Sequence, residues 1–369
     1  MRRWCWVIFF SIPFSTSAKV SHFELAEAWA PIIYKDVSAA FVQTETGFSP
    51  VDHLVGLFFD ENEDLRDNGI NIFSISNEHA RSLLEKAPVY YSVIETRTHW
   101  YLNYILYHAI DLNIFSHTHD TENIWMVIRK SSDKKFGDLE FLVTNSHGYP
   151  KIYGDTNEAM IANMNFKKRF LQQFLPAIDQ YSEDHHFAPG VEYVTDKKST
   201  KRFRLFVAAK THAIYKFHSK AWREGRGSGA VYLPESCRQL CDSEGQFEEN
   251  PANKVFYELK SWDEIYFKYS RSELPVFTAK KNLFLPAPTH DVLPSYLIQG
   301  WRETEARALV FSAVRFKTKH SLADPAALHR HWIGEYADIC SRYLDNPYLP
   351  PTKKEPKSLL SWFGFGSIE

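Results

Sequence analysis

Between residues 88 and 146 the chain passes through VYYSVIETRT, HWYLNYILYHA, ENIWMVIRK and DLEFLVTN. These stretches are dense in Val, Ile, Tyr and Trp and lack helical caps. Side chains of that kind fit a pleated, packed surface, so four consecutive strands are predicted. RFRLFVAAK continues the series, and KVFYELKSW, LPVFTAKK and ARALVFSAVRFK extend it towards the carboxyl end. Helical signals sit around them. SHFELAEAWAPIIYKD reads as an amphipathic helix that stops near Pro31 and runs into an extended segment. SNEHARSLLEKA is a second helix with a Ser or Asn cap. NEAMIANMNFKKRFLQQFLPAIDQY repeats apolar residues at helical spacing, and DPAALHRHWIGEYADICSRYLDN is a helix with Pro325 in its first turn. Many strands of modest length with inserted helices predict an α+β protein with an antiparallel β-sandwich core and inserted and flanking helices. No strand leads into a glycine-rich helix start, so neither a Rossmann nor a P-loop site is expected, and nucleotide is excluded as a ligand.

The amino terminus adds a location. MRR precedes WCWVIFFSIPF and the small residues STSA, the three zones of a secretory signal, with cleavage expected after Ala18. The apolar run falls short of the roughly 20 residues that span a bilayer. The expected organisation is a signal peptide at 1–18, a metal-binding β-sandwich core at 19–250, strands and a helix at 251–344 completing the same domain, and a Pro/Lys-rich, then apolar tail at 345–369. The mature protein is expected to be extracytoplasmic, periplasmic or secreted. With 43 basic against 45 acidic side chains, no net field favours nucleic acid as a partner. Once Cys5 leaves with the signal, Cys237, Cys241 and Cys340 remain, which allows at most one internal disulfide in a monomer; CRQLC can close a small loop, or one of its cysteines can reach Cys340. The pair lacks the two-residue spacing of a structural zinc site.

The chemistry concentrates in SHTHDTENIW. Alternate side chains of a strand share a face. A strand beginning near Asp120 therefore places Asp120 and Glu122 on the face continued by Ile124, Met126 and Ile128. Two carboxylates at the edge of a core must be protonated, paired with a cationic side chain, or bound to a metal ion. His117, read as part of the preceding loop, can fold back over the strand end, and Asp111, closing the previous strand, can reach the same rim. Asp111, His117, Asp120 and Glu122 are thus the candidate ligands of a divalent cation. Their oxygen-rich composition suits Mg²⁺, Ca²⁺ or Mn²⁺ better than Zn²⁺. His147 and His212 follow strand-like runs and are candidate catalytic proton carriers or outer donors. DENEDLRDNGIN, by contrast, fails as an EF-hand, because Leu65 stands where glycine is needed and Asn71 where glutamate is needed. The H-x-H-x-D-H zinc pattern is also missed, since Asp120 follows His119 directly, and Ser146 beside His147 does not form a nucleophile elbow.

HTHDTE resembles the G-H-R-H-D-W-E heptapeptide of the necrosis- and ethylene-inducing-peptide-like secreted proteins, and NSHGY resembles a segment on a later strand of theirs. ELAEAWAPIIY and LFVAAKTHAIY are similar to motifs of the related vacuolar-protein-sorting-associated protein 62 family. HAIDL and HTHDTE are similar to the H-P-R-D-W and H-E-N-D-x-E motifs of uncharacterised extracytoplasmic proteins. The likeness runs over residues 22 to 217. It implies a β-sandwich holding a divalent cation at one rim through Asp111, His117, Asp120 and Glu122, with His147 as a nearby functional histidine. In the necrosis-inducing group that metal site recognises sugar headgroups of membrane sphingolipids. Here Ser116 replaces the opening glycine and Thr121 the tryptophan, so the metal is expected to carry over and the toxin activity is not. The functional expectation is a protein that recognises a glycan, a lipid headgroup or a membrane surface through a rim metal. The alternative is a metal-dependent hydrolase of phosphoester or glycosidic bonds. KKEPKSLLSWFGFG, with lysines beside aromatics, offers a surface anchor.

Overall fold

The computed structural model describes residues 19–37, 50–62, 67–85, 87–112, 117–146, 149–154, 156, 193–195, 201–217, 229–238, 254–265, 279–280, 289–290, 324–333 and 339–348. The expected signal segment at 1–18, the helix expected around residues 157–181, the strand expected at ARALVFSAVRFK and the tail from 349 lie outside the described residues.

Helix α1 (His22–Ala28) starts as its sequence dictates. Ser21 accepts from the Glu24 amide at 3.1 Å and the Glu24 carboxylate accepts from the Ser21 amide at 3.0 Å, a reciprocal capping box. Pro31 then turns the chain into β1 (Ile32–Lys35). The carbonyls left over at the helix end are collected by Arg202, whose Nη1 donates to Glu27 O at 3.0 Å and Ala30 O at 3.3 Å. Replacing this buried guanidinium by methionine takes the side-chain donor from both carbonyls, leaving Glu27 O to backbone amides such as that of Ala30 at 3.3 Å. A loss of about 2–3 kcal/mol is expected in chemical denaturation of Arg202→Met.

Helices α2 (Asn68–Ser74) and α3 (Asn77–Glu85) precede the strand-rich region: β2 (Pro88–Thr96), β3 (His99–Asp111), β4 (His117–Arg129), β5 (Asp138–Ser146) and β6 (Tyr149–Tyr153). Gly137 sits just before β5 at φ +70°, where a Cβ would lie 2.3 Å from the Arg129 carbonyl. Then come β7 (Tyr193–Thr195), β8 (Lys201–Val207), β9 (Ile214–Lys216), β10 (Ala230–Pro234) and β11 (Lys254–Ser261). A separate short pair, β12 (Ala279–Lys280) and β13 (Thr289–His290), is followed by α4 (Pro325–Ile333) and β14 (Tyr343–Asp345). The predicted carboxyl-terminal helix is thus shorter than its sequence suggested, because Tyr343–Asp345 pairs with β2 instead.

Twelve strands form one sheet in the order β6-β5-β4-β3-β2-β11-β10-β1-β8-β7, with β14 on β2 and β9 on β8. The expected antiparallel sandwich is corrected here. β1 with β8, β10 with β11 and β11 with β2 pair in parallel, so the sheet is mixed. It also curls almost into a barrel: Thr144 of β5 donates to Ile214 O of β9 at 2.7 Å. Ile124, Met126 and Leu142 from one end of the sheet pack with Leu205, Val207 and Ile214 from the other. Strands β2 to β5 are buried on their second face too. Tyr90, Tyr101, Trp125 and Phe141 meet the 51–59 segment, Ile72 of α2 and Leu328 of α4 there. A sheet covered on both faces reads as a continuous apolar run, which explains the density of the 88–146 stretch.

Candidate metal centre

β3 and β4 pair in a fixed register that sets His108 opposite Asp120 and Leu106 opposite Glu122. Leu102, Tyr104, Leu106, Ile124, Met126 and Ile128 fill the interior cluster. His108, Asp120 and Glu122 continue the same face at the strand ends, where the apolar lining gives way to polar groups. The expected sharing of one face by Asp120 and Glu122 is therefore met.

A turn between β8 and β9 brings in His212. It is closed by Ala208 N donating to Ala213 O at 3.0 Å, and it holds Lys210 at φ 66° and His212 at φ 52°. Two non-glycine residues in the left-handed region cost roughly 1–3 kcal/mol each and persist where the surroundings enforce them. Here they are enforced. Lys210 N donates to Asp52 Oδ1 at 3.0 Å and Leu112 N to Lys210 O at 2.9 Å.

The result is a continuous buried chain of polar contacts. Lys35 Nζ donates to Asp52 Oδ1 at 3.1 Å, to Asp36 O at 2.7 Å and to Ala208 O at 3.1 Å. His212 Nε2 lies 2.9 Å from Asp52 Oδ1 and its Nδ1 lies 2.6 Å from Asp120 Oδ2. Carboxylates only accept, so both contacts are hydrogen bonds at once when both ring nitrogens carry hydrogen. His108 stacks on His212 with ring centres 3.6 Å apart and planes 3° from parallel. Neither ring nitrogen of His108 has a hydrogen-bond partner, and burial, then His212 and Lys35, push its pKa well below the usual histidine range. Nearby, His53 Nδ1 meets the Tyr232 hydroxyl at 2.8 Å, and burial together with Lys35 brings its pKa down to about 3.

The carboxyl side is the part nearest solvent. Asp111, Asp120 and Glu122 are 6%, 7% and 6% exposed, whereas His108 and His212 are 0% exposed. Burial, then the charges of Asp120 and Asp111, raise the Glu122 pKa well above the usual carboxylate range. Its Oε2 is buried with no hydrogen-bond partner. Lys35, the ammonium of this network, is committed to Asp52 and two carbonyls.

Of the sequence-derived set, Asp111, Asp120, Glu122 and His212 belong to this region. His117 opens β4 opposite Asp111 in register, instead of preceding the strand in a loop. Its side chain, and all of His147, lie outside the described residues. His108, Asp52 and Lys35 were missed. His108 had a usable signal, lying three positions before Asp111 as His117 lies three before Asp120; Asp52 and Lys35 carried none.

Two groups of described residues have ligand atoms close enough together to hold a metal ion: His108 with Asp120 and His212, and, elsewhere, His99 with Glu140 and His329. Both ring nitrogens of His108 in the first group, and Glu122 Oε2 two residues beyond Asp120, lack hydrogen-bond partners, and lone pairs of that kind suit a cation. A cleft of about 480 Å³ lined by Phe58, His79, Tyr90 and Lys260 lies by the outer face and shares no residue with either group. Cys237 is disulfide-bonded and Cys340 is a free thiol. No described helix is long and apolar enough to cross a membrane. Compared with protein-family models, curated proteins and solved structures, the chain gives no match.

Proposed function

We propose that this is an extracytoplasmic protein that binds a divalent cation at the ends of β3 and β4 and uses the ion's open coordination positions to recognise a glycan or lipid headgroup. One observation carries the cation: buried Glu122 feels the charges of Asp120 and Asp111, its Oε2 and both ring nitrogens of His108 are unpartnered, and the local ammonium is already engaged by Asp52. Like charges so placed are relieved by a proton or by a metal ion. The donors would be Asp120, Glu122 and Asp111, with His108 as the imidazole and His117 as a further candidate. Oxygen-rich ligation favours Mg²⁺, Ca²⁺ or Mn²⁺. His212, fixed by Asp52, would orient Asp120 from behind the site.

Two further points support the reading. HAID, HTHDTE and THAIY, three of the motifs behind the resemblance to the necrosis-inducing and sorting-associated families, contribute His108, Asp111, Asp120, Glu122 and His212 to one region. The disulfide at Cys237 and the amino-terminal MRRWCWVIFF pattern suit an oxidising compartment.

Asp111, Asp120 and Glu122 keep a little more exposure than the fully buried imidazoles, so a sugar hydroxyl or phosphate oxygen would reach the ion from the carboxyl side. A second reading, metal-assisted hydrolysis of phosphoester or glycosidic bonds, draws on His212, whose imidazole spans two carboxylates as a proton carrier would. Metal analysis of the purified chain beside an Asp120→Ala/Glu122→Ala variant tests the premise. The expected result is about one equivalent of Mg, Ca or Mn per chain, lost in the variant together with binding to glycan arrays and anionic or glycolipid vesicles. Equal, negligible metal in both chains would overturn the reading. Metal-dependent turnover of a model phosphodiester would move it to the hydrolase.

A further inference from the structure

A second centre lies apart from these residues, among β3, β5 and α4. His99 and His329 are 0% exposed and Glu140 is 3% exposed. Glu140 Oε2 lies 3.3 Å from His99 Nε2 and 3.2 Å from His329 Nε2. These separations are short enough for hydrogen bonds, yet none of the three atoms has a hydrogen-bond partner. The contacts therefore fail in their geometry and not in their length, between two rings that meet edge to face at 87°.

The outward-facing atoms, in contrast, are engaged. His99 Nδ1 meets Thr98 Oγ1 at 2.8 Å, and Thr98 Oγ1 is also bonded by Cys340 N at 3.0 Å. His329 Nδ1 meets the Tyr101 hydroxyl at 3.3 Å, and Arg129 Nε donates to Glu140 Oε1. When each Nδ1 carries the ring hydrogen and donates it outward, both Nε2 lone pairs are left pointing inward beside a carboxylate oxygen. Three lone-pair atoms packed together in a dry interior repel one another unless a cation lies between them.

The geometry points to that cation: we propose that His99, Glu140 and His329 form a zinc-class metal site that fastens α4 to the sheet. Ligands about 2.0–2.1 Å from a tetrahedral Zn²⁺ stand about 3.3 Å from one another, and each lone pair lies roughly 35° off the line between two ligands. Contacts of 3.2 and 3.3 Å with misdirected N–H groups agree with that arrangement. Octahedral Mg²⁺ would draw adjacent ligands to about 3.0 Å and prefers oxygen donors. Two imidazoles and one carboxylate select Zn²⁺ and its neighbours Co²⁺ and Ni²⁺. The outer bonds from Thr98, Tyr101 and Arg129 orient all three ligands, as metal sites require. Three protein ligands leave one tetrahedral position, which water would complete. Enclosure by Tyr101, which packs on both imidazoles, and by Phe141 makes the role structural.

The test uses the full chain, stripped with chelator and titrated with Zn²⁺ and Co²⁺ in an Asp120→Ala/Glu122→Ala background, so that this site is read independently of the first. One equivalent of Zn²⁺ should bind, Co²⁺ should give the intense visible band of four-coordination, and Zn²⁺ should raise the thermal midpoint by about 5 °C. Glu140→Gln and His329→Gln should weaken Zn²⁺ by roughly 100-fold or more and abolish the midpoint shift. Absence of Zn²⁺ and Co²⁺ binding in the background chain, or unchanged binding in Glu140→Gln, would overturn the proposal. If the variants fail to fold, the Co²⁺ spectrum of the unaltered chain decides, because a six-coordinate oxygen-rich site absorbs only weakly.

Discussion

Replacing Lys35 with methionine is expected to lower stability by about 3–5 kcal/mol, the range for removing one partner from a buried ion pair. Lys35 and Asp52 are both fully buried, 3.1 Å apart. Burial pushes the Lys35 pKa down while Asp52 pulls it up, and burial prevails. The attraction of the pair therefore does not outweigh its burial, and the large penalty belongs to breaking it. Methionine would take the ammonium away from Asp52, which also meets the Lys210 amide and His212, and would leave Asp36 O and Ala208 O without their lysine donor. Urea denaturation measures the loss. The double variant Lys35→Met/Asp52→Asn should be less damaged than the sum of the single variants, since the uncompensated charge is gone. A loss below 1 kcal/mol in Lys35→Met would show that the lysine is not held as described.

Glu122→Gln should raise the stability of the metal-free protein at neutral pH while weakening its grip on the cation. Glu122 has a folded-state pKa raised well above its ordinary value of 4.5 by burial and by Asp120 and Asp111. A raised carboxyl binds its proton more tightly when folded. Its contribution is thus present in full below about pH 4.5 and is lost as the pH climbs through the folded-state value. Each unit of elevation is worth about 1.4 kcal/mol. Buried His53, His108 and His329, with lowered pKa values, push stability the other way below about pH 6.5, so the Glu122 contribution is read as a difference: relative to Glu122→Gln, the metal-free parent should lose thermal stability from pH 4.5 to pH 8, and a divalent cation should restore it by taking the proton's place. Glutamine removes both the slope and the rescue. Thermal midpoints across this range, with chelator and with Mg²⁺, Ca²⁺ or Mn²⁺, check the sign. A difference between the metal-free parent and Glu122→Gln that stays flat above pH 4.5, or moves in the parent's favour, would contradict it.

The parts of this molecule written locally in the chain could be read from it. The capping box of Ser21 and Glu24, the strands from 88 to 146 and the shared face of Asp120 and Glu122 depend on neighbours a few positions apart. Asp111 and His212 were legible because each closes or follows a strand-like run. Strand partnership was not legible. Alternation and β propensity state that a segment is a strand, and they are silent on whether its neighbour runs parallel. The mixed sheet and the mistaken sandwich both come from that silence. His117 was misplaced because a strand's start depends on its hydrogen-bonded neighbour, and Asp111 extends the ladder further than the polar residues suggested. Lys35 and Asp52 were invisible because a lysine in an apolar strand and an aspartate in a turn have no local reason to meet. His329 is the extreme case. It stands 228 positions from Tyr101, and only the docking of α4 brings them together.

The seat of β11 also bears on how the protein is made. Lys254–Ser261 lies between β10 and β2, in parallel with both, so two interior strands wait for a segment synthesised after either of them. Until it arrives, each offers a row of open amides and carbonyls to any passing chain, and pairing across such distances along the sequence is slow. Nascent chains that stop short of Lys254 should therefore depend on a holding chaperone and cling to one another in its absence.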